Sequence, residues 1–298
     1  MTNPLQRGLG QLLRSKVAGT DATTRAAEIW GTPGERWFAP TDPIWRVHDD
    51  ASMYCGGIAA LLLQSLHPLA MAGVAGHSGY RSDPWGRLQR TSDYIAATTF
   101  GTVETAERSI ETVRRVHQRV RGRDERGRAY RADDPDLLRW VAIAEAYAFL
   151  RSHDRYGRQP LGPAERDRYV AQAGTLADRL GADPMPTDWA GLLDALHDYR
   201  PELEVTDAAR DAAEFLLTEP PLPGIARPGY ALIAAGGVAV LPVWARRQLR
   251  LSAPTGWGHA AGRVATGTVR WGLAGLRDEP DRDRLRRDRP EEGAAVAD

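Results

Sequence analysis

Residues 102–122 read TVETAERSIETVRRVHQRVRG, and this stretch decides how the rest of the chain is read. Val103, Ala106, Ile110, Val113, His117 and Val120 recur at spacings of three and four, the stripe of a helix that lays one face on a core. Glu104, Glu107, Arg108, Glu111, Arg114, Arg115, Gln118 and Arg119 fall on the other faces. His117 therefore occupies a position where the pattern asks for an aliphatic side chain. A buried imidazole must be hydrogen-bonded, neutral or bound to something, so His117 is either a satisfied core histidine or a ligand.

Working outward, the pattern stays helical. Asp83 followed by Pro84 predicts a helix start that runs to about Thr99, and Asp134 with Pro135 opens another to about Tyr156. Further helices are expected over 163–180, 187–198, 206–216, 227–240 and 256–274, with the charged segment GRDERGRAYRADD read as a surface loop. Alternating strands, a phosphate-binding glycine loop and internal repeats are not evident. The expected fold is all-α, a single multi-helix domain of about 10 to 13 helices over residues 21–276. Residues 1–20 read as a loose arm, and 277–298, dense in Arg, Asp, Glu and Pro, as a disordered tail.

Composition excludes several classes. The 39 basic and 39 acidic residues cancel, so no global field points to nucleic acid. The sole cysteine, Cys55, rules out an internal disulfide and fits a reducing, cytoplasmic setting, and the N-terminus lacks the apolar core of a secretory signal. Two apolar runs, 56–76 and 228–245, are interrupted by Pro68 and Pro242. They are read as core helices followed by breaks, with membrane-surface contact the less favoured alternative. The patterns HExxH and GxSxG are absent, so nothing argues for a zinc or serine hydrolase.

On the helix opened by Asp83, Arg87, Arg90, Thr91 and Tyr94 share one face. That face is either a solvated surface or a polar-ligand wall, and the short turn at Gly101 makes its helix an antiparallel neighbour of the His117 helix. His67 in SLHPLA and His77 in GHSGY could also contact a cofactor, although such histidines more often satisfy a nearby backbone group. Glu145 reads either as a core carboxylate paired with an arginine or as a proton donor or base.

The segments ALLLQSLHPLAMAGVAGHSGYRSDPWGRLQRT, VRRVHQRVRG, YRADDPDLLRW and RPGYALIAAGGVAVLPVWARRQL resemble, in order, the family of the oxygenase MpaB and the rubber oxygenase, or latex-clearing protein. The resemblance runs from about Trp45 to Leu251 and implies a globin-like helical core that binds haem b, with His117 as the proximal iron ligand. It implies that Arg87, Arg90 and Thr91 lie at the distal pocket, aligned with the rubber-oxygenase pattern R-x-x-K-T. Arg90 replaces the lysine that can cap the iron in that branch, and guanidinium offers no lone pair. Ala142 stands where many relatives carry a histidine, and Tyr147 and Ala148 where they read Asp-Ser. The implied activity is a haem-dependent oxygenase acting on a partly apolar small molecule with dioxygen or peroxide. A peroxide-driven or non-oxygenative haem enzyme and a non-catalytic haem or ligand carrier stay open as alternatives.

Overall fold

The computed structural model describes residues 3–19, 22–77, 79, 81–251 and 255–276. The expected tail lies outside the described residues. Within them the fold is all-α apart from one small hairpin. The helices are α1 (Pro4–Ala18), α2 (Ala22–Gly31), α3 (Pro43–His48), α4 (Met53–Gln64), α5 (Pro68–His77), α6 (Pro84–Phe100) and α7 (Val103–His117). After the hairpin come α8 (Pro135–Tyr156), α9 (Pro163–Leu180), α10 (Trp189–Asp198), α11 (Asp207–Thr218), α12 (Arg227–Val240), α13 (Val243–Gln248) and α14 (Thr255–Ala274).

The helix starts follow local chemistry. The Asp83 carboxylate accepts from the Gly86 amide and that of Asp134 from the Asp136 amide, each with proline at the first helical position. Pro68 likewise opens α5 after α4 ends, and the two helices meet at a bend of 107°. No single described helix is long and apolar enough to cross a membrane.

Two expectations are corrected. The GRDERGRAYRADD segment is not all loop: β1 (Arg121–Arg123) pairs antiparallel with β2 (Ala129–Arg131). The Asp124 carboxylate makes the turn by accepting from the Arg126 and Arg128 amides at 3.0 and 2.7 Å, with Gly127 at φ 78°. The hairpin also ends α7 at His117, short of the expected Gly122, because the Val120 carbonyl is taken by the Ala132 amide. Nor are residues 4–18 a loose arm. Helix α1 lies on α14 so closely that a Cβ on Gly10 would be 2.6 Å from the Gly272 carbonyl, and Gln6 donates to the Trp271 carbonyl.

Helices α4 and α8 form the centre, with α12 and α14 stacked on one side. Trp140 is fully buried on α8 and donates its indole N–H to the Gln64 carbonyl at 3.2 Å. Tyr156 donates to the Gly236 carbonyl at 2.9 Å, and Trp30, Trp45 and Phe100 form an aromatic cluster under α2 and α3. Burial, only partly opposed by a weak bond to Thr266, pushes the Cys55 thiol up to about 12, so it packs as an apolar group.

Glycine lets α12 approach its neighbours. A Cβ on Gly236 would sit 2.6 Å from the Gly262 Cα and 2.8 Å from the Cys55 sulfur. Alanine in a helix interior gains about 0.5–1 kcal/mol over glycine, whereas overpacking costs about 1–3 kcal/mol. Backbone is the obstacle here, so the second effect wins and Gly236→Ala should destabilise by about 1–2 kcal/mol. Exposed Gly267 on α14 has open space around it, and Gly267→Ala should stabilise by about 0.5–1 kcal/mol. Urea unfolding of the two variants should give shifts of opposite sign.

Candidate functional site

His117 is the last residue of α7, where the buried stripe reaches the edge of the core. Ala106 and Ile110 are buried, Val113 and His117 half-buried and Val116 exposed. The expected stripe therefore holds for its first half, and His117 sits at a boundary. Neither ring nitrogen has a hydrogen-bond partner, and Nδ1 is sealed from solvent. Asp133, just after β2, is close enough to raise the proton affinity of the imidazole. Burial outweighs that effect and holds the pKa of His117 below the ordinary histidine value, so the ring is neutral at pH 7. The facing Asp133 Oδ1 is also buried without a hydrogen bond, although Arg131 stands 3.4 Å away as an ion-pair partner.

These features fit a metal-bound imidazole. A ligating histidine must be neutral, and its other nitrogen ordinarily donates to a carboxylate or carbonyl. His117 supplies the neutral ring, and Asp133 the carboxylate beside it. Sequence reasoning treated Asp133 as part of a surface loop. Its only signal was its position two residues before the proline of α8, within the YRADDPDLLRW resemblance.

Glu145, in the middle of α8, is half-buried among buried neighbours on the same helix. Its partner is not an arginine. Gln64, the last residue of α4, donates to Glu145 Oε1 at 3.1 Å. Burial raises the carboxyl pKa, and the Gln64 bond only partly opposes this. Tyr94 and Tyr169 are near enough for the Glu145 charge to push their phenols further up. Ala142 lies one turn before Glu145 on the same side of α8 and is also half-buried. Tyr147 is buried and stacks on Trp189, with ring centroids 5.8 Å apart.

The raised carboxyl pKa has a consequence for stability. The group titrates near 4.5 when unfolded and higher when folded, so the stability it contributes is fully present below about pH 4.5 and is lost as pH rises through the folded value. Glutamine does not titrate. Glu145→Gln should therefore gain stability relative to the wild type as pH rises above about 4.5 in denaturant titrations. A difference independent of pH would contradict a buried, proton-taking carboxyl.

Of the Arg87-Arg90-Thr91-Tyr94 face, only the Tyr94 end comes near Glu145. Tyr94 lies near Glu145 and Arg87 is half-buried, but Arg90 and Thr91 are exposed. Arg90 is engaged by Asp83 at 3.2 Å. Arg90 and Thr91, expected at the distal pocket, are thus on the exposed side of α6, a helix fully buried only in its last turn, Ala97–Phe100. His77 is exposed against the Tyr130 ring, 6.2 Å away. His67 is buried but belongs to a separate cluster with Asp136 and Glu202.

The remaining histidines separate into satisfied and unsatisfied groups. His48 Nδ1 pairs with the Thr99 hydroxyl at 2.8 Å, and burial takes its pKa down to about 3. His259 Nδ1 pairs with Tyr156. His153, expected at a polar helix end, is buried because α8 carries it inward beside Asp50 and Arg270.

The family described as the ER-bound oxygenase mpaB/B'/rubber oxygenase catalytic domain matches residues 45–271, well over half of the chain. The chain belongs to this family. The matched region spans α3 to α14 and contains His117, Asp133, Gln64 and Glu145, all within the oxygenase catalytic domain. Comparisons with curated proteins and with solved structures return no match.

Proposed function

We propose that this oxygenase-family domain is haem-dependent and inserts oxygen from dioxygen into a partly apolar small molecule. The observation that carries the reading is the neutral imidazole of His117, whose buried Nδ1 has no hydrogen-bond partner, near an Asp133 carboxylate whose buried Oδ1 accepts no hydrogen bond and has only the Arg131 ion pair. His117 would hold the iron, and Asp133 would accept from Nδ1 and fix the ring. Haem, when bound, supplies the redox chemistry that dioxygen activation needs.

The chain's own residues would do the rest. Glu145, whose carboxyl pKa is raised by burial, would donate a proton or a hydrogen bond into a substrate space beside α4 and α8, and Gln64 holds its orientation. Tyr94 adds a phenol beside it, protonated at any working pH. The apolar wall of α4 and α8 would exclude water and accept an apolar substrate. Arg87, half-buried on α6, would place positive charge at the outer edge of the space.

The test is oxygen uptake by the haem-supplied protein against a panel of partly apolar small molecules. Substrate-dependent dioxygen consumption is expected, reduced at least tenfold in Glu145→Leu. Turnover with peroxide alone, and none with dioxygen, would replace this reading with a peroxide-driven one.

A further inference from the structure

His67 is 3 % exposed, and its Nε2 has no hydrogen-bond partner. That nitrogen faces a carboxylate, and a second carboxylate lies beside the imidazole. Glu202 Oε2 is 3.8 Å away, and ligand atoms of His67, Asp136 and Glu202 all lie within 4.8 Å of one another. The residues come from three separate segments: His67 precedes α5, Asp136 is in the first turn of α8, and Glu202 ends the 3-10 turn Arg200–Glu202. We propose that they form a site for a divalent transition-metal cation of the zinc type, distinct from the His117 and Glu145 regions.

The donor set argues for this class of ion. One imidazole nitrogen and two carboxylates suit zinc and its neighbours, whereas magnesium and calcium prefer oxygen alone. With ligand bonds of about 2.0–2.2 Å, tetrahedral donors stand about 3.4 Å apart. The present spacing is slightly wider, and Glu202, whose side chain is 59 % exposed, is free to close it. Two donors are already set. Tyr199 donates to Asp136 Oδ1 at 2.5 Å, orienting that carboxylate, and the Trp140 and Tyr199 rings wall the imidazole at 6.2 and 6.5 Å.

The imidazole can take this role at little cost. The Ala70 amide donates to Nδ1 across 3.5 Å, the outer limit of a hydrogen bond. Moving the ring proton to Nδ1, which frees the Nε2 lone pair for a cation, therefore gives up only that long contact. Arg128, the cation whose charge reaches His67, is already engaged by Asp124 and Glu204. A cation here would tie the α4–α5 corner to α8 and to the segment after α10, leaving water at the fourth position.

The experiment uses the full chain, stripped with chelator and titrated with Zn2+ by calorimetry, followed by X-ray absorption at the zinc edge. About one ion per chain is expected, with a shell of one nitrogen and light oxygen donors. His67→Ala removes packing as well as a ligand, so rim variants are the cleaner test. Glu202→Gln and Asp136→Asn should each weaken binding at least tenfold while leaving the circular dichroism spectrum unchanged. No stoichiometric binding by the wild type, or equal affinity in both rim variants, overturns the proposal.

Discussion

Trp140→Ala should lower the stability of the protein by about 3–5 kcal/mol, the usual cost of deleting a fully buried aromatic side chain. Trp140 has no exposed surface and packs between α4 and the Tyr199 ring, whose centroid is 5.2 Å away. Its indole N–H also donates to the Gln64 carbonyl, which would keep only the His67 amide as donor. For a domain of this size each kcal/mol moves the thermal midpoint by about 2–4 °C, so a drop of about 10 °C is expected in a calorimetric scan. Trp140→Phe keeps most of the volume and should cost less than half as much. The two variants should also differ near Glu145, because Gln64 is held by its carbonyl on Trp140 and holds Glu145 with its amide. A Trp140→Ala protein as stable as the wild type would mean that α4 and α8 do not meet as described.

His117→Ala should abolish oxygenase turnover, by at least about 10³-fold, with little change in stability. The side chain is half-buried at a helix end and makes no hydrogen bond, so its removal leaves no orphaned partner beyond those already present. Loss of function without loss of fold separates a ligand from a core histidine. Asp133→Asn should give an intermediate result. It keeps the shape but removes the charge that favours a proton on the ring, and losing a carboxylate that orients a ligating imidazole costs about 10–100-fold. Equal activity in wild type and His117→Ala, read as dioxygen uptake, would exclude the residue from the chemistry.

Much of the architecture could be read from local signals. The Asp-Pro pairs at 83–84 and 134–135 place the starts of α6 and α8 because a carboxylate cap and a proline at the first position act within one turn. The break at Pro68 is equally local. The features that escaped depend on partners distant in sequence. Helix α1 is fixed by glycine contacts with α14, more than 260 residues on. Gln64 and Glu145 are 81 positions apart, and no periodicity announces their pairing. The hairpin was hidden in a charged stretch because its two strands are only three residues each and its turn rests on one carboxylate, Asp124. Arg90 and Thr91 show the converse: spacing put them on one face with Tyr94, but only packing could tell that this face leaves the core before it reaches them.

The central claim is that His117 holds iron, and the most direct measurement is the absorption spectrum of His117→Gly purified with a supply of haem, recorded before and after addition of imidazole. The account predicts a Soret band in the wild type, a weak or shifted band in the variant, and recovery of the wild-type spectrum when free imidazole fills the vacated position. A wild type without a Soret band, or a variant whose spectrum matches the wild type before imidazole is added, would contradict it.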